Sequence, residues 1–359
     1  MANHEAVNVE AERQVRHFLA PLVPYLDSPT VNEVMINRHD RIFVEDRGVI
    51  TQLNLHIPDV QVRATINAIM TINEKDPSKS PLMDAHLVGK RVAAVLPPVA
   101  VHGPVLAIRK LPQTSPTLED YYERGDFDPI ESDITRHDID PVEQAHYESR
   151  ASQGGLGLVE FLQWAMKTRR NIAMAGGTGV GKTTFGMALL HAIPHDQRIV
   201  TAEDTNELVL TQPNVVQLEA NIDYQVRLSD LIRMTLRLRP DRVIVGEVRG
   251  GEIFALLRAL NSGHSGGLFT LHADNATLAL RTMETYLRES PDFRDSTVTE
   301  RRENIISAVH YVIYQARRGN SRAPEQILGL GGQLNGDNYQ LRNVYQRGVT
   351  SISPSLNPT

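Results

Sequence analysis

Cysteine is absent from all 359 residues. That excludes a disulfide framework, an iron–sulfur cluster and a thiolate zinc site, and it fits a reducing compartment. Long apolar runs are missing as well: the longest, Val92 to Ile108, is broken by Pro97, Pro98, His102, Gly103 and Pro104. Such a run does not cross a bilayer as a regular helix. The amino-terminal stretch MANHEAVNVEAERQVRHF is charged and has none of the apolar core of a signal peptide, so no export is expected and a cytoplasmic location follows. A strong global field is lacking too. A net charge of −6 and a pI near 6.1 attract neither nucleic acid nor an anionic membrane over the whole surface, so no sequence-specific nucleic-acid binding is expected. No internal repeat is visible. What is present is enough apolar material, 41% of residues, for two packed cores, since domains usually hold roughly 100 to 200 residues.

The first part, residues 1–114, reads as a small α+β domain. Residues 12–26 form a helical patch, VNEVMIN and RIFVED are short strands around Arg38 to Asp40, and Val62, Ile66, Ile69 and Met70 have helical spacing. The runs GKRVAAVLPP and GPVLAIRKLP are β-rich, with prolines and glycines marking turns or edges, and are expected to close the first sheet. Residues 115–153 read as an acidic linker: from Ser115 to Arg150 there are eleven Asp or Glu against three Arg and no Lys. Few apolar residues and high charge favour a solvated connection over a core.

From residue 154 to 350 the pattern changes to alternating strands and helices. NIAMAG, RIVTAED, DRVIVGEV and GGLFTLHA suit buried parallel strands, and a doubly wound α/β domain follows. Ser229 is expected to cap a helix that puts Leu231, Met234 and Leu238 on one face and stops at Pro240. The carboxy-terminal part reads as a β-meander with a turn at Asn335-Gly336, and residues 351–359 as a disordered tail.

The chemistry is concentrated in GGTGVGKTT. Gly176, Gly177, Thr178, Gly179, Val180, Gly181, Lys182 and Thr183 fit G-x-x-x-x-G-K-[ST] between an expected strand and an expected helix, the context a phosphate loop requires. Glycines let the backbone curl until its N–H groups face one anion, and the helix start adds roughly half a positive charge. Lys182 then reaches the β and γ phosphates of ATP, and the Thr183 hydroxyl ligates Mg2+. Phosphoryl transfer also needs carboxylates to orient water or hold magnesium. Glu247 ends one expected strand, and Glu203, Asp204 and Glu207 end another; both ends reach the carboxyl edge of the sheet.

With these residues in hand the chain resembles the bacterial secretion traffic ATPases. GGTGVGKTT, AEDTNEL, RPDRVIVGEVRGGE and NSGHSGGLFTLHADN follow the order and approximate spacing of that family's Walker A, Asp box, Walker B and His box. The likeness is strongest to the conjugation and type IV secretion branch, with Trb-type and Tad pilus ATPases near it. VNEVMIN, RIFVED and RVAAVLPPVAVHGPVLAIRK look like the family's amino-terminal domain.

The resemblance implies a RecA-like P-loop ATPase domain behind a smaller α+β domain, assembled as a homo-hexamer. The ring would sit peripherally at the cytoplasmic face of the inner membrane, with the secretion or conjugation apparatus proteins as partners. Carried over by position, residues from Gly176 to Thr184 bind nucleotide and magnesium, and Glu247, Glu203, Glu207 and Lys182 are catalytic. Thr183 and Asp204 serve the metal, and His264 and His272 are sensors of the γ-phosphate or of the neighbouring site. Arg91 and Arg109 match amino-terminal positions that reach the nucleotide; read without the family, they are edge-strand charges that block aggregation. The implied function is to power type IV secretion or conjugative transfer. A Tad or type II-like pilus assembly ATPase, a P-loop small-molecule kinase and a nucleotide-gated scaffold are the alternatives.

Overall fold

A computed structural model describes residues 2–112, 117–128 and 140–348, with side chains from residue 10, and the chain separates into two units, Met1–Asp138 and Ile139–Thr359. In the first unit the elements run α1 (Ala2–Phe18), a 3-10 turn at Ala20–Leu22, α2 (Val23–Asp27), β1 (Val31–Arg38), β2 (Arg41–Asp46), β3 (Val49–Leu53), α3 (Asp59–Ile72), β4 (Leu82–Leu87), β5 (Lys90–Val95), β6 (Val105–Lys110) and α4 (Leu118–Glu123). The strands form one antiparallel sheet in the order β3-β2-β1-β6-β5-β4 among the described residues. Val62, Ile66, Ile69 and Met70 of α3 join Val15 and Leu19 of the α1 region. Together they bury Val34, Ile36, Val92, Leu106 and Ile108 of the sheet, as the 3.6-residue spacing requires.

Of the two sequence readings of the prolines near β5 and β6, turns or edges, the turn holds and the edge does not. Both strands lie inside the sheet, β6 between β1 and β5, while β3 and β4 form the edges. The prolines that suggested an edge follow β5 and precede β6, in the connection rather than in the ladder. Arg91 and Arg109 are therefore cross-strand partners on inner strands. The edge-charge reading does not hold.

The second unit contains α5 (Pro141–Ser152), α6 (Gly155–Lys167), β7 (Ile172–Ala175), α7 (Lys182–Leu190), β8 (Ile199–Glu203), β9 (Val215–Glu219), α8 (Leu228–Thr235), β10 (Arg242–Val245), α9 (Ile253–Asn261), β11 (Leu268–Leu271), α10 (Ala276–Glu289), α11 (Val298–Ala308), β12 (Tyr311–Arg318), β13 (Ser321–Asn335) and β14 (Asn338–Gln346). Their sheet has the order β14-β13-β12-β7-β11-β10-β8-β9. Strands from β12 to β9 are parallel, and β13 and β14 add an antiparallel hairpin. Every residue of β7, β8 and β10 is buried, which is why these runs read as largely apolar rather than alternating. The α/β class and the meander turn at Gly336 agree with the sequence expectation.

Residues 141–152, counted by composition in the acidic linker, form α5 and pack within the second unit. Tyr147 stacks on Trp164 with ring centroids 5.2 Å apart. Glu148 accepts hydrogen bonds from the Tyr311 hydroxyl at 2.9 Å and from Arg342 at 2.8 and 3.0 Å. One of the counted acids is thus an internal tie, which composition does not reveal. Helix α8 also begins earlier than expected: Arg227, not Ser229, is its N-cap, with the Asp230 carboxylate accepting the Arg227 N–H at 3.0 Å. It ends at Thr235, while Leu231, Met234 and Leu238 are buried as expected. The expected tail, 351–359, lies outside the described residues. Among the described residues no helix is long and apolar enough to cross a membrane.

Candidate active site

Strand β7 ends at Ala175, the chain curls through Gly176 to Gly181, and α7 starts at Lys182. The curl depends on particular glycines. Gly179 and Gly181 have φ of 74° and 87°, a region where side chains are strained. A Cβ on Gly176 would stand 2.5 Å from the Gln315 carbonyl oxygen on β12, so the loop lies directly against that strand. Gln315 also donates from Nε2 to the Val180 carbonyl at 2.9 Å. The result is a concave run of backbone at a helix start, the form that accepts a phosphate group.

Lys182 is folded back into this curl, its Nζ donating to the carbonyls of Gly176 at 2.8 Å and Gly177 at 3.1 Å, with His272 Nδ1 at 3.5 Å. Burial lowers its pKa, and the charge of Glu247 opposes that. A cation held by two carbonyls at a loop mouth lacks a full anionic partner, so a polyphosphate fits the donor set.

Because β7, β8, β10 and β11 are parallel, their carboxyl ends deliver side chains to one edge. Glu203, the last residue of β8, is only 2% exposed and accepts the N–H groups of Glu207 and Leu208 at 3.1 Å each. Burial raises its pKa, against those two hydrogen bonds. Gly246 permits the close approach of this carboxylate: a Cβ there would stand 3.1 Å from Glu203 Cγ. Glu247 follows, with Oε1 2.5 Å from His272 Nε2 and Oε2 accepting from Arg249 at 2.5 and 2.8 Å. Asp204 is solvent-exposed at the mouth of the cavity, and Glu207 contributes its backbone N–H to Glu203 as well as lining the cavity.

One cavity of about 420 Å³ joins these groups, lined by Lys182, Thr183, Glu203, Asp204, Glu247 and His272 together with the glycines of the loop. That volume lies within the usual range of ligand clefts. The Thr183 hydroxyl and the carboxylates that line the same cavity are hard oxygen donors of the kind magnesium takes alongside phosphate oxygens. The loop, Lys182 and the carboxylates expected from the sequence therefore come together.

The two histidines separate. His272 follows β11 at the edge that holds the phosphate loop, whereas His264 precedes that strand, at the opposite edge and outside the cavity. The loop around His264 is tied down by Asn171, whose Oδ1 accepts the N–H groups of Gly266 at 2.6 Å and Gly267 at 2.9 Å. Arg91 and Arg109 belong to the first unit. Arg109 Nε donates to Glu33 Oε2 at 2.9 Å, and both arginines are exposed. Sequence reasoning missed Arg249 and Gln315. Arg249 carried a signal, since it lies two residues beyond Glu247 in GEVRGGE, whereas Gln315 had none.

A family model described as Type II/IV secretion system protein matches residues 153–318. The Type IV secretion system protein VirB11 of Bartonella henselae is 31% identical over 313 residues, covering 82% of this chain and 87% of the relative. VirB11 of Brucella suis is 34% identical over 291 residues, 77% of this chain and 78% of the relative. The Conjugal transfer protein TrbB of Rhizobium radiobacter is 31% identical over 330 residues, 89% of this chain and 90% of the relative. Among solved structures, that of the VirB11 ATPase from the Brucella suis type IV secretion system in complex with sulphate superposes with a TM-score of 0.80 at 30% identity, covering 90% of this chain and 96% of that one.

Proposed function

Because the chain belongs to the type II/IV secretion system ATPase family, on the branch of VirB11 and TrbB, we propose that it hydrolyses ATP to power a type IV secretion or conjugative transfer apparatus. The observation that carries this reading is the convergence of the Gly176–Thr183 loop, Lys182, Glu203, Glu247 and His272 on one cavity. Residues Gly176 to Thr184 seat the phosphates, and Thr183 with Asp204 holds Mg2+. The ion supplies charge neutralisation at the transferring phosphate. Glu247 and Glu203 orient the attacking water, with Glu207 fixing Glu203 through its amide. His272 bridges Lys182 and Glu247, so it feels charge at the γ-phosphate end of the cavity. His264, away from that cavity, is assigned to the neighbouring copy in a homo-hexamer.

Arg91 and Arg109, side by side and exposed on the first unit, supply further phosphate contacts. A guanidinium suits bidentate phosphate binding, and such arginines contribute ~10³ to 10⁵ in rate in P-loop NTPases. The ring works peripherally at the cytoplasmic face of the inner membrane, against the membrane components of the apparatus.

The test is ATP turnover, with and without small-molecule acceptors, measured on particles of known mass. Turnover without an acceptor in a particle six times the 40.0 kDa chain, reduced in Arg91→Ala and Arg109→Ala, supports the reading. Phosphate transfer to an acceptor by a monomer contradicts it.

A further inference from the structure

The β12–β13 hairpin carries a charge arrangement that the proposed catalysis does not use. Arg317 on β12 and Arg322 on β13 are direct cross-strand partners on either side of the Gly319-Asn320 turn. Like charges placed opposite each other destabilise a sheet, and no carboxylate offsets this pair among the described residues. Arg317 Nε donates to the Gly319 carbonyl at 2.8 Å, and the carboxylate of Glu325 is taken by Arg318. Arg347 adds a third guanidinium beside the turn, donating to Ser321 Oγ at 2.9 Å. An acidic protein has thus gathered unneutralised arginines at one hairpin.

That hairpin touches the phosphate loop. A Cβ on Gly181 would stand 3.4 Å from Arg322 Cδ and 3.4 Å from Gln315 Nε2, so the Arg322 stem runs over the last glycine before Lys182. Arg322 is an exposed residue. Gln315 beneath it is 1% exposed; its Nε2 holds the Val180 carbonyl, and its buried Oε1 has no hydrogen-bond partner. In the strand order, β12 lies on one side of β7, and β11, β10 and β8 lie on the other. Glu203, Glu247 and His272 therefore flank the loop from one side and Arg322 from the opposite side.

Resting on the nucleotide-site reading above, we propose that Arg322 contacts the phosphate chain of the nucleotide from its own subunit, at the α-phosphate end. Lys182 and the carboxylates hold the γ-phosphate end, where bond breaking occurs. The α-phosphate end of the chain then faces the flank that the hairpin occupies. An arginine there contributes to ground-state binding of ATP and ADP alike, unlike an arginine that acts only on the transferring group. Removing the guanidinium weakens both nucleotides by about tenfold or more, the usual worth of a hydrogen bond to a charged group.

The experiment is calorimetric titration of ADP and a non-hydrolysable ATP analogue into the full chain, at low and high salt. It compares wild type, Arg322→Ala, Arg322→Lys and Lys182→Ala, with melting temperatures of the nucleotide-free proteins. In Arg322→Ala the affinity for both ligands falls about tenfold, its salt dependence becomes shallower, and Arg322→Lys retains part of the affinity. KM for ATP rises more than kcat falls, and the nucleotide-free protein melts no lower than wild type, because a like-charge pair has been removed. Wild-type ADP affinity in Arg322→Ala, or a loss confined to kcat, overturns the proposal. If Lys182→Ala loses affinity while Arg322→Ala does not, only the hairpin's role falls. If neither variant changes ADP binding, the phosphate-loop reading falls with it.

Discussion

Glu203 and Glu247 are both carboxylates at the carboxyl edge of the sheet, yet they stand in different surroundings. Glu247 has a side-chain partner on each oxygen, the His272 ring on one and the Arg249 guanidinium on the other. Glu203 has two amides and little water, so burial raises its pKa above the ordinary 4.5. The folded state then holds the Glu203 proton more tightly than the unfolded chain does. Its contribution to stability is complete below about 4.5 and is lost as pH rises through the folded value. Glu203→Gln keeps the shape and the two amide hydrogen bonds without the buried charge. Its melting temperature therefore exceeds that of wild type at pH 8 and converges with it toward pH 4.5, while ATP turnover falls. Each tenfold change in proton affinity is worth about 1.4 kcal/mol. A difference in melting temperature that does not vary with pH would show that the carboxylate is not the source. Lys182, Glu203 and Glu247 were legible in the sequence because a loop motif and strand-terminal carboxylates are local patterns. Gln315 was not, since its contact with Val180 depends on β12 pairing with β7 across more than 130 residues of chain.

At the scale of elements, α5 shows what composition conceals. A stretch rich in Asp and Glu reads as solvated, but Glu148 faces inward between Tyr311 and Arg342. Burial works to raise the Glu148 pKa; Arg342, Gln144 and Tyr311 outweigh it and hold the carboxyl below its ordinary value. The sign is opposite to that at Glu203: this stability is present above about 4.5 and is lost as pH falls through the folded value. Glu148→Gln is expected to cost about 1.5 to 3 kcal/mol at neutral pH. That lowers the melting temperature by several degrees, with the gap closing in acid. A variant as stable as wild type at pH 7 would mean that α5 is held by its other contacts, the Tyr147–Trp164 stack, the Arg150–Glu160 pair and buried Ala151, rather than by Glu148. The parallel strands were legible because short buried runs rich in apolar residues alternate with helical segments. The order of β5 and β6 was not, because antiparallel strand order is decided by which faces α1 and α3 cover, a long-range property absent from either run alone.

For the whole molecule, one sheet edge of the second unit collects an anion cradle, a buried lysine and two carboxylates with unlike environments. These are the parts needed to position a polyphosphate and a water, and they lie in a chain whose relatives are named for type IV secretion and conjugal transfer. The proposed ring, its membrane partners and the contribution of the first unit all depend on that cavity turning over ATP. Steady-state ATP hydrolysis by wild type and Lys182→Ala, at matched folding judged by melting temperature, tests this most directly. Losing one preorganised electrostatic contact of this kind costs ~10² to 10³ in rate. The account predicts acceptor-independent hydrolysis by wild type and a loss of that size in Lys182→Ala; wild-type turnover in the folded variant would contradict it.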